Sequence, residues 1–150
     1  MIKNTKNIKN MQEDRNLFLT FLNENIGRMN ANSMNCKTLM AALNAGLMAL
    51  CIANDTELVL WIAMGLTVLL YFIDCYYLML EKNFREIENV VIKLEEAELS
   101  KQNVLFNFDA NKLIGKYTSI KNFLKSLYSP STLYVYIAVE IALYVTLKLL

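Results

Sequence analysis

Twenty-three consecutive residues, Leu58 to Leu80, contain a single charged side chain, Asp74. As an α-helix rising about 1.5 Å per residue, this block is roughly 34 Å long, enough to cross a hydrocarbon core of about 30 Å. Trp61 lies near one end and Tyr76 and Tyr77 near the other, where aromatic side chains mark the edges of a bilayer. A chain carrying such a block is constrained to bury its backbone polar groups in helices wherever lipid replaces water.

Two further apolar blocks accompany it. Residues 38–53 are shorter, about 24 Å as a helix, and the polar turn Asn54-Asp55-Thr56-Glu57 leads straight into the central block. The pair therefore reads as a helical hairpin, its first helix starting before Thr38 in the polar stretch around Arg28. Residues 132–150 form the third block, after a break at Ser129-Pro130-Ser131 that suits a helix start. The expected fold is all-α: an integral membrane protein of three transmembrane helices with cytoplasmic amphipathic helices, assembled as a homo-oligomeric bundle. The boundaries are a disordered tail over 1–11 and one membrane domain over 12–150. Within that domain we place a cytoplasmic helix at 12–37, spans at 38–53, 58–80 and 132–150, and a cytoplasmic helical segment at 81–131. Residues 1–11 are not a signal peptide, since the first apolar block begins near Thr38.

Basic residues set the expected orientation. Six of the fifteen lie at or before Lys37, eight lie between 81 and 131, none lies in the 54–57 turn, and Lys148 remains. The positive-inside rule places the N-terminus and the 81–131 segment in the cytoplasm and the C-terminus outside, in a cytoplasmic (inner) membrane. The third block is apolar on all faces, whereas a helix lying on the surface needs a polar one. A net charge of +1 gives no basic field for nucleic acid.

Catalytic chemistry finds little to work with. The chain has no histidine, the commonest general base and metal ligand. Cys36, Cys51 and Cys75 have no ligand spacing, and read as small buried hydrophobes. Nucleotide-binding, zinc-hydrolase and serine-hydrolase signatures are missing from the sequence. The expectation is a non-enzyme without catalytic residues, metal or cofactor.

The polar residues inside the apolar blocks carry the functional reading. Asn44, Asp74 and Glu140 lie at similar expected depths, about 9–12 Å from the cytoplasmic ends of their spans. A buried charge at the bilayer centre costs about 2.5–3.5 kcal/mol, so such groups face a partner or water. The three residues are a candidate polar layer lining a path through an oligomer. The plainer alternatives are that Asp74 turns toward headgroups, that Glu140 is hydrogen-bonded between helices, and that Asn44 joins two helices. Ala41, Ala45, Ala49 and Ala53 recur every four residues, a row that lets helix backbones approach closely, either within the chain or between copies.

Two patterns belong to the expected cytoplasmic parts. Asn25, Arg28, Asn32 and Asn35 share a stripe, a candidate vestibule or a solvated face. Leu80, Phe84, Ile87, Val91 and Leu94 alternate steps of four and three, which carries the second span onward as a helix packed on a neighbour. Ile120, Phe123, Leu124, Leu127 and Tyr128 fall on one face with Lys121 and Lys125 away from it, as in an interfacial helix.

The stretch from Phe21 to Lys37, the hairpin after it and the Asp74-Cys-Tyr-Tyr-Leu78 element resemble a group of small bacterial multi-span membrane proteins. The resemblance rests on an Arg-Met-x-x-Asn-Ser-x-x-x-Lys segment (Arg28, Met29, Asn32, Ser33, Lys37), an Asp-x-Tyr-Tyr element (Asp74, Tyr76, Tyr77) and a late span after Ser129-Pro130. It implies the three-span architecture and, by analogy, the role of a membrane-disrupting effector in anti-phage defence. The leading expectation is a homo-oligomeric channel or pore whose opening depolarises the membrane. The alternative is a membrane anchor or regulatory subunit that recruits a cytosolic protein partner. A small transporter would need repeated halves, and the sequence has none.

Overall fold

The computed structural model describes residues 2–54, 56–93, 105–115 and 117–149, with side chains from Gln12 onward. Every regular element among them is an α-helix: α1 (Ile2–Asn54), α2 (Glu57–Lys93), α3 (Ala110–Leu113), α4 (Thr118–Leu127) and α5 (Pro130–Leu149). Three of these, α1, α2 and α5, contain stretches long and apolar enough to cross a membrane. Only 22%, 33% and 17% of those apolar stretches is buried within the chain. Exposed apolar surface on this scale suits contact with lipid.

The helix boundaries refine the sequence reading. The tail expected to be disordered over 1–11 is drawn into α1, which begins at Ile2. No Gly or Pro precedes Gly27, so nothing stops a helix already nucleated further along from propagating toward the N-terminus. Helix α2 continues unbroken from its apolar block to Lys93. Helix α5 starts at Pro130, whose missing N–H falls at the helical position that needs none, and the Ser129 carbonyl accepts from Thr132 and Leu133.

The chain forms two compact units. The first comprises Met1–Met29 and Met79–Asn122. Phe18 and Leu22 of α1 pack with Ile87 and Val91 of α2 and with Ala110. The four-three spacing of the α2 residues therefore finds its neighbour in α1; Leu94 lies outside the described residues. The rings of Phe106 and Phe108 stand 5.2 and 5.4 Å from that of Phe18, within the 4.5–7 Å of favourable aromatic pairs. The Arg15 guanidinium donates to the Ile92 carbonyl at 2.8 Å, satisfying one of the acceptors left open at the end of α2. Asp109 caps α3 by accepting from the backbone N–H groups of Asn111 and Lys112. Gly115, at φ +143°, makes the turn between α3 and α4 in a conformation that side chains resist.

The second unit comprises Asn30–Leu78 and Phe123–Leu150. Its helices meet along seams spaced by three and four residues: Ser33, Cys36, Met40, Asn44 and Cys51 on α1, Leu60, Ala63, Thr67, Leu70 and Asp74 on α2, and Thr132, Tyr136 and Leu143 on α5 are all buried. Two apolar clusters result, Cys51 with Leu60, Ala63 and Leu143, and Met40 with Leu70 and Tyr136. All three cysteines are free thiols in buried positions.

Candidate functional site

The second unit carries its polar groups at separate levels. At one level, Ser33, Lys37 and Asp74 close a ring of contacts. The Lys37 ammonium lies 2.6 Å from Asp74 Oδ2 and donates to Ser33 Oγ at 2.8 Å, while Ser33 Oγ donates to Asp74 Oδ1 at 2.5 Å. Asp74 is 0% exposed and the Lys37 side chain 16%. Ser33 and Lys37 are one helical turn apart on α1, so both reach the same point on α2. A carboxylate held this way is neutralised inside the chain and needs no water or headgroup.

Two turns along α2, about 10 Å away, Asn44 donates to Thr67 Oγ1 at 2.7 Å, and Thr67 passes its own hydrogen to the Ala63 carbonyl. Both residues are buried, and Asn44 Oδ1 has no hydrogen-bond partner among the described residues. The geometry puts Asn44 in an interhelical bond, of a kind worth about 0.6 kcal/mol on average within membranes.

Glu140 stands apart from both. It is half-buried on α5 and lines a groove of about 170 Å³ with Thr67, Val68, Tyr71, Leu133, Tyr136 and Ile137. Its Oε1 is sealed inside the chain without a hydrogen-bond partner among the described residues. The structure thus places Asp74 with Lys37, Asn44 with Thr67, and Glu140 in a groove that Thr67 also lines.

The alanine row faces away from the helix seams. Ala41, Ala45, Ala49 and Ala53 are exposed, as are Ala42 and Gly46, on the side of α1 opposite Met40, Asn44 and Cys51. Large exposed side chains flank the row on α1, among them Leu43, Leu50 and Ile52, and cover α2 and α5, including Trp61, Leu69, Phe72, Tyr134, Ile141 and Tyr144. On the other candidate stripe, Asn25 and Asn32 are half-buried and Arg28 and Asn35 exposed; the Asn25 amide donates back to the Phe21 carbonyl.

Helix α4 inverts the usual soluble pattern. Thr118, Asn122 and Ser126 are buried, whereas Ile120, Leu124 and Tyr128 are exposed, with Phe123 and Leu127 half-buried. In the first unit Asn122 donates to Asn83 Oδ1 at 2.9 Å, and Asn83 donates to Ser119 Oγ at 3.1 Å. In the second, Tyr71 donates to the Leu127 carbonyl and Cys75 to that of Ser126, satisfying acceptors at the end of α4.

Sequence reasoning singled out Asp74, Asn44 and Glu140 but not their surroundings. Ser33 and Lys37 entered only through the resemblance and the charge count, and Thr67 not at all. The available signal was distance from the turn. Lys37 lies 18 residues before position 55 and Asp74 lies 18 after position 56; Asn44 and Thr67 lie 11 before and 11 after. In an antiparallel hairpin such pairs fall opposite one another. Comparison with known protein families, with curated proteins and with solved structures returns no match.

Proposed function

We propose that the chain is the subunit of a homo-oligomeric membrane channel, inserted in a bacterial inner membrane with its N-terminus inside and its C-terminus outside. Glu140 carries this reading: it is the carboxyl of the apolar blocks that no lysine or arginine neutralises among the described residues. Facing hydrocarbon it costs several kcal/mol, whereas beside a water-filled path between copies it attracts cations. The small outward face of α1 gives copies a surface on which backbones approach closely. Three helices enclose no pore alone, so conduction requires several chains. A leak through such an assembly depolarises the membrane and arrests growth, the outcome that a membrane-disrupting effector of phage defence needs.

The test is conductance of the purified protein in planar bilayers. Glu140→Gln is expected to lower cation conductance and shift the reversal potential toward non-selectivity, with insertion unchanged. Identical records for the variant and the parent remove Glu140 from the path. No conductance from correctly inserted, assembled protein removes the channel.

A second reading, a membrane anchor that recruits a cytosolic protein, is favoured by the first unit. Leu17, Phe21, Phe106 and Phe108 are exposed there at 60%, 45%, 50% and 43%, an apolar surface of the kind that marks protein contacts. Under this reading Phe21→Ser with Phe108→Ser abolishes a stoichiometric co-purifying protein while leaving membrane insertion intact.

A further inference from the structure

Helix α4 turns an apolar face outward. Ile120, Leu124 and Tyr128, the last just past the end of the helix, are each more than half exposed. They recur every four residues and so share one side. Lys121 and Lys125 border that side and are exposed as well. The opposite stripe, Thr118, Asn122 and Ser126, is buried. Hydrogen bonds hold it there. Within the first unit Asn122 donates to Asn83 Oδ1 and Asn83 donates to Ser119 Oγ; within the second Tyr71 donates to the Leu127 carbonyl. Rolling α4 to hide its apolar face would take Asn122 and Ser119 away from the buried Asn83 amide, and a buried amide without partners is costly.

An outward face of this kind suits the boundary between lipid headgroups and acyl chains, where an amphipathic helix buries its apolar side and its basic side chains reach the phosphates. Position and charge both favour lipid as the occupant. Only two residues separate the end of α4 from Pro130, where the apolar helix α5 begins. From Ala110 to Ser131 the sequence carries four lysines and no acidic residue. Lys121 and Lys125 have no ion-pair partner among the described residues. Headgroups with a net negative charge supply that partner, and zwitterionic ones do not. A second copy docked face to face through this surface would instead bring lysines against lysines.

We propose that α4 binds the anionic phospholipids of the leaflet that α5 enters, with Ile120, Leu124 and Tyr128 set among the upper acyl chains and the Lys121 and Lys125 ammonium groups donating to lipid phosphates. Binding of this kind rests on the membrane insertion of the channel reading but needs neither conduction nor assembly.

The test uses the full-length protein in vesicles of phosphatidylcholine and phosphatidylglycerol in equal parts, one or the other brominated along its acyl chains so that it quenches nearby tryptophan. Trp61 is the single tryptophan and lies exposed on α2, so its quenching in the parent chain reports insertion. Trp61→Phe with Leu124→Trp moves the fluorophore to α4. It is expected to be quenched, and more by brominated phosphatidylglycerol than by brominated phosphatidylcholine, as for about tenfold enrichment of the anionic lipid. Adding Lys121→Gln and Lys125→Gln should abolish that preference and leave the quenching itself. All four positions are exposed, so the variants keep the buried seams intact. A fluorophore on α4 that escapes quenching, while Trp61 of the parent is quenched, would mean that protein covers the face and would overturn the proposal. Equal quenching by the two lipids, or a preference that survives the glutamine substitutions, would overturn it too. If Trp61 itself escapes quenching, insertion fails and lipid binding by α4 fails with it.

Discussion

At the scale of single residues, the energetics turn on Asp74. Taking a carboxylate fully out of solvent is costly, and here the Lys37 ammonium and the Ser33 hydroxyl offset that cost. Lys37→Met leaves the carboxylate unpaired and is expected to destabilise the folded chain by about 3–5 kcal/mol. Lys37→Met with Asp74→Leu removes both charges and should regain most of that loss, because a buried ion pair exchanged for apolar groups is often neutral or better. Denaturant titration of the detergent-solubilised variants reads both, and equal stability of the two variants would count against the pair as the holding interaction. That Asp74 needs a partner was legible in the sequence from its place in an apolar block. Its partner was not, because Lys37 is 37 positions away and the pairing depends on the register of the hairpin. That register is set by the turn and by the buried seam, not by any local feature of either helix. Glu140 was legible as an unusual residue, but its groove was not, since the six residues around it are ordinary apolar or hydroxyl-bearing helix residues and three of them, Thr67, Val68 and Tyr71, lie on α2.

At the scale of elements, each helix has to bury one face and leave another outward. In α1 the alanine row was evident in the sequence, yet its direction was not. Its apolar block offers Met40, Asn44 and Cys51 on one side and small residues on the other, and either could have served as the seam. Packing settles it by size: Met40 meets Leu70 and Tyr136, while Cys51 fits between Leu60 and Leu143. With the alanines outward, Ala45→Leu with Ala49→Leu adds bulk without disturbing the internal clusters. These substitutions should leave the helical content and unfolding midpoint of the chain almost unchanged and reduce its assembly at least tenfold. Light scattering corrected for bound detergent distinguishes the two states; unchanged mass would show that copies meet elsewhere. Helix α4 illustrates the complementary limit. The expected apolar face is exposed at Ile120, Leu124 and Tyr128, but the polar stripe Thr118, Asn122 and Ser126 is the one that is buried. Apolar periodicity marks a face, and only the neighbouring helix decides whether that face turns inward. Here α2 offers Asn83, an amide whose hydrogen bonds Asn122 and Ser119 satisfy.

At the scale of the whole molecule, three helices long and apolar enough to cross a membrane follow from block length alone. The division into two compact units does not follow from block length: α1 and α2 each continue past the apolar blocks, and the sequence shows no linker where the units part. Orientation rests on the distribution of Lys and Arg, and it can be tested on the intact protein. All three native cysteines are buried, at 8% exposure for Cys36 and 0% for Cys51 and Cys75, so a membrane-impermeant maleimide has little native thiol to attack. An added cysteine at an exposed position then reports its own side of the membrane. Thr56→Cys, in the hairpin turn, is expected to label in intact cells. Lys112→Cys, in the basic segment before the last span, should label only after the membrane is opened. The reverse pattern would invert the chain and place its basic segments outside, against the charge bias. Labelling of both sites in intact cells would break the odd number of crossings that three spans require, because residues 56 and 112 are separated by a single span. The two sites together therefore test orientation and the crossing of α2 in one measurement, and the channel reading stands only if they label from opposite sides.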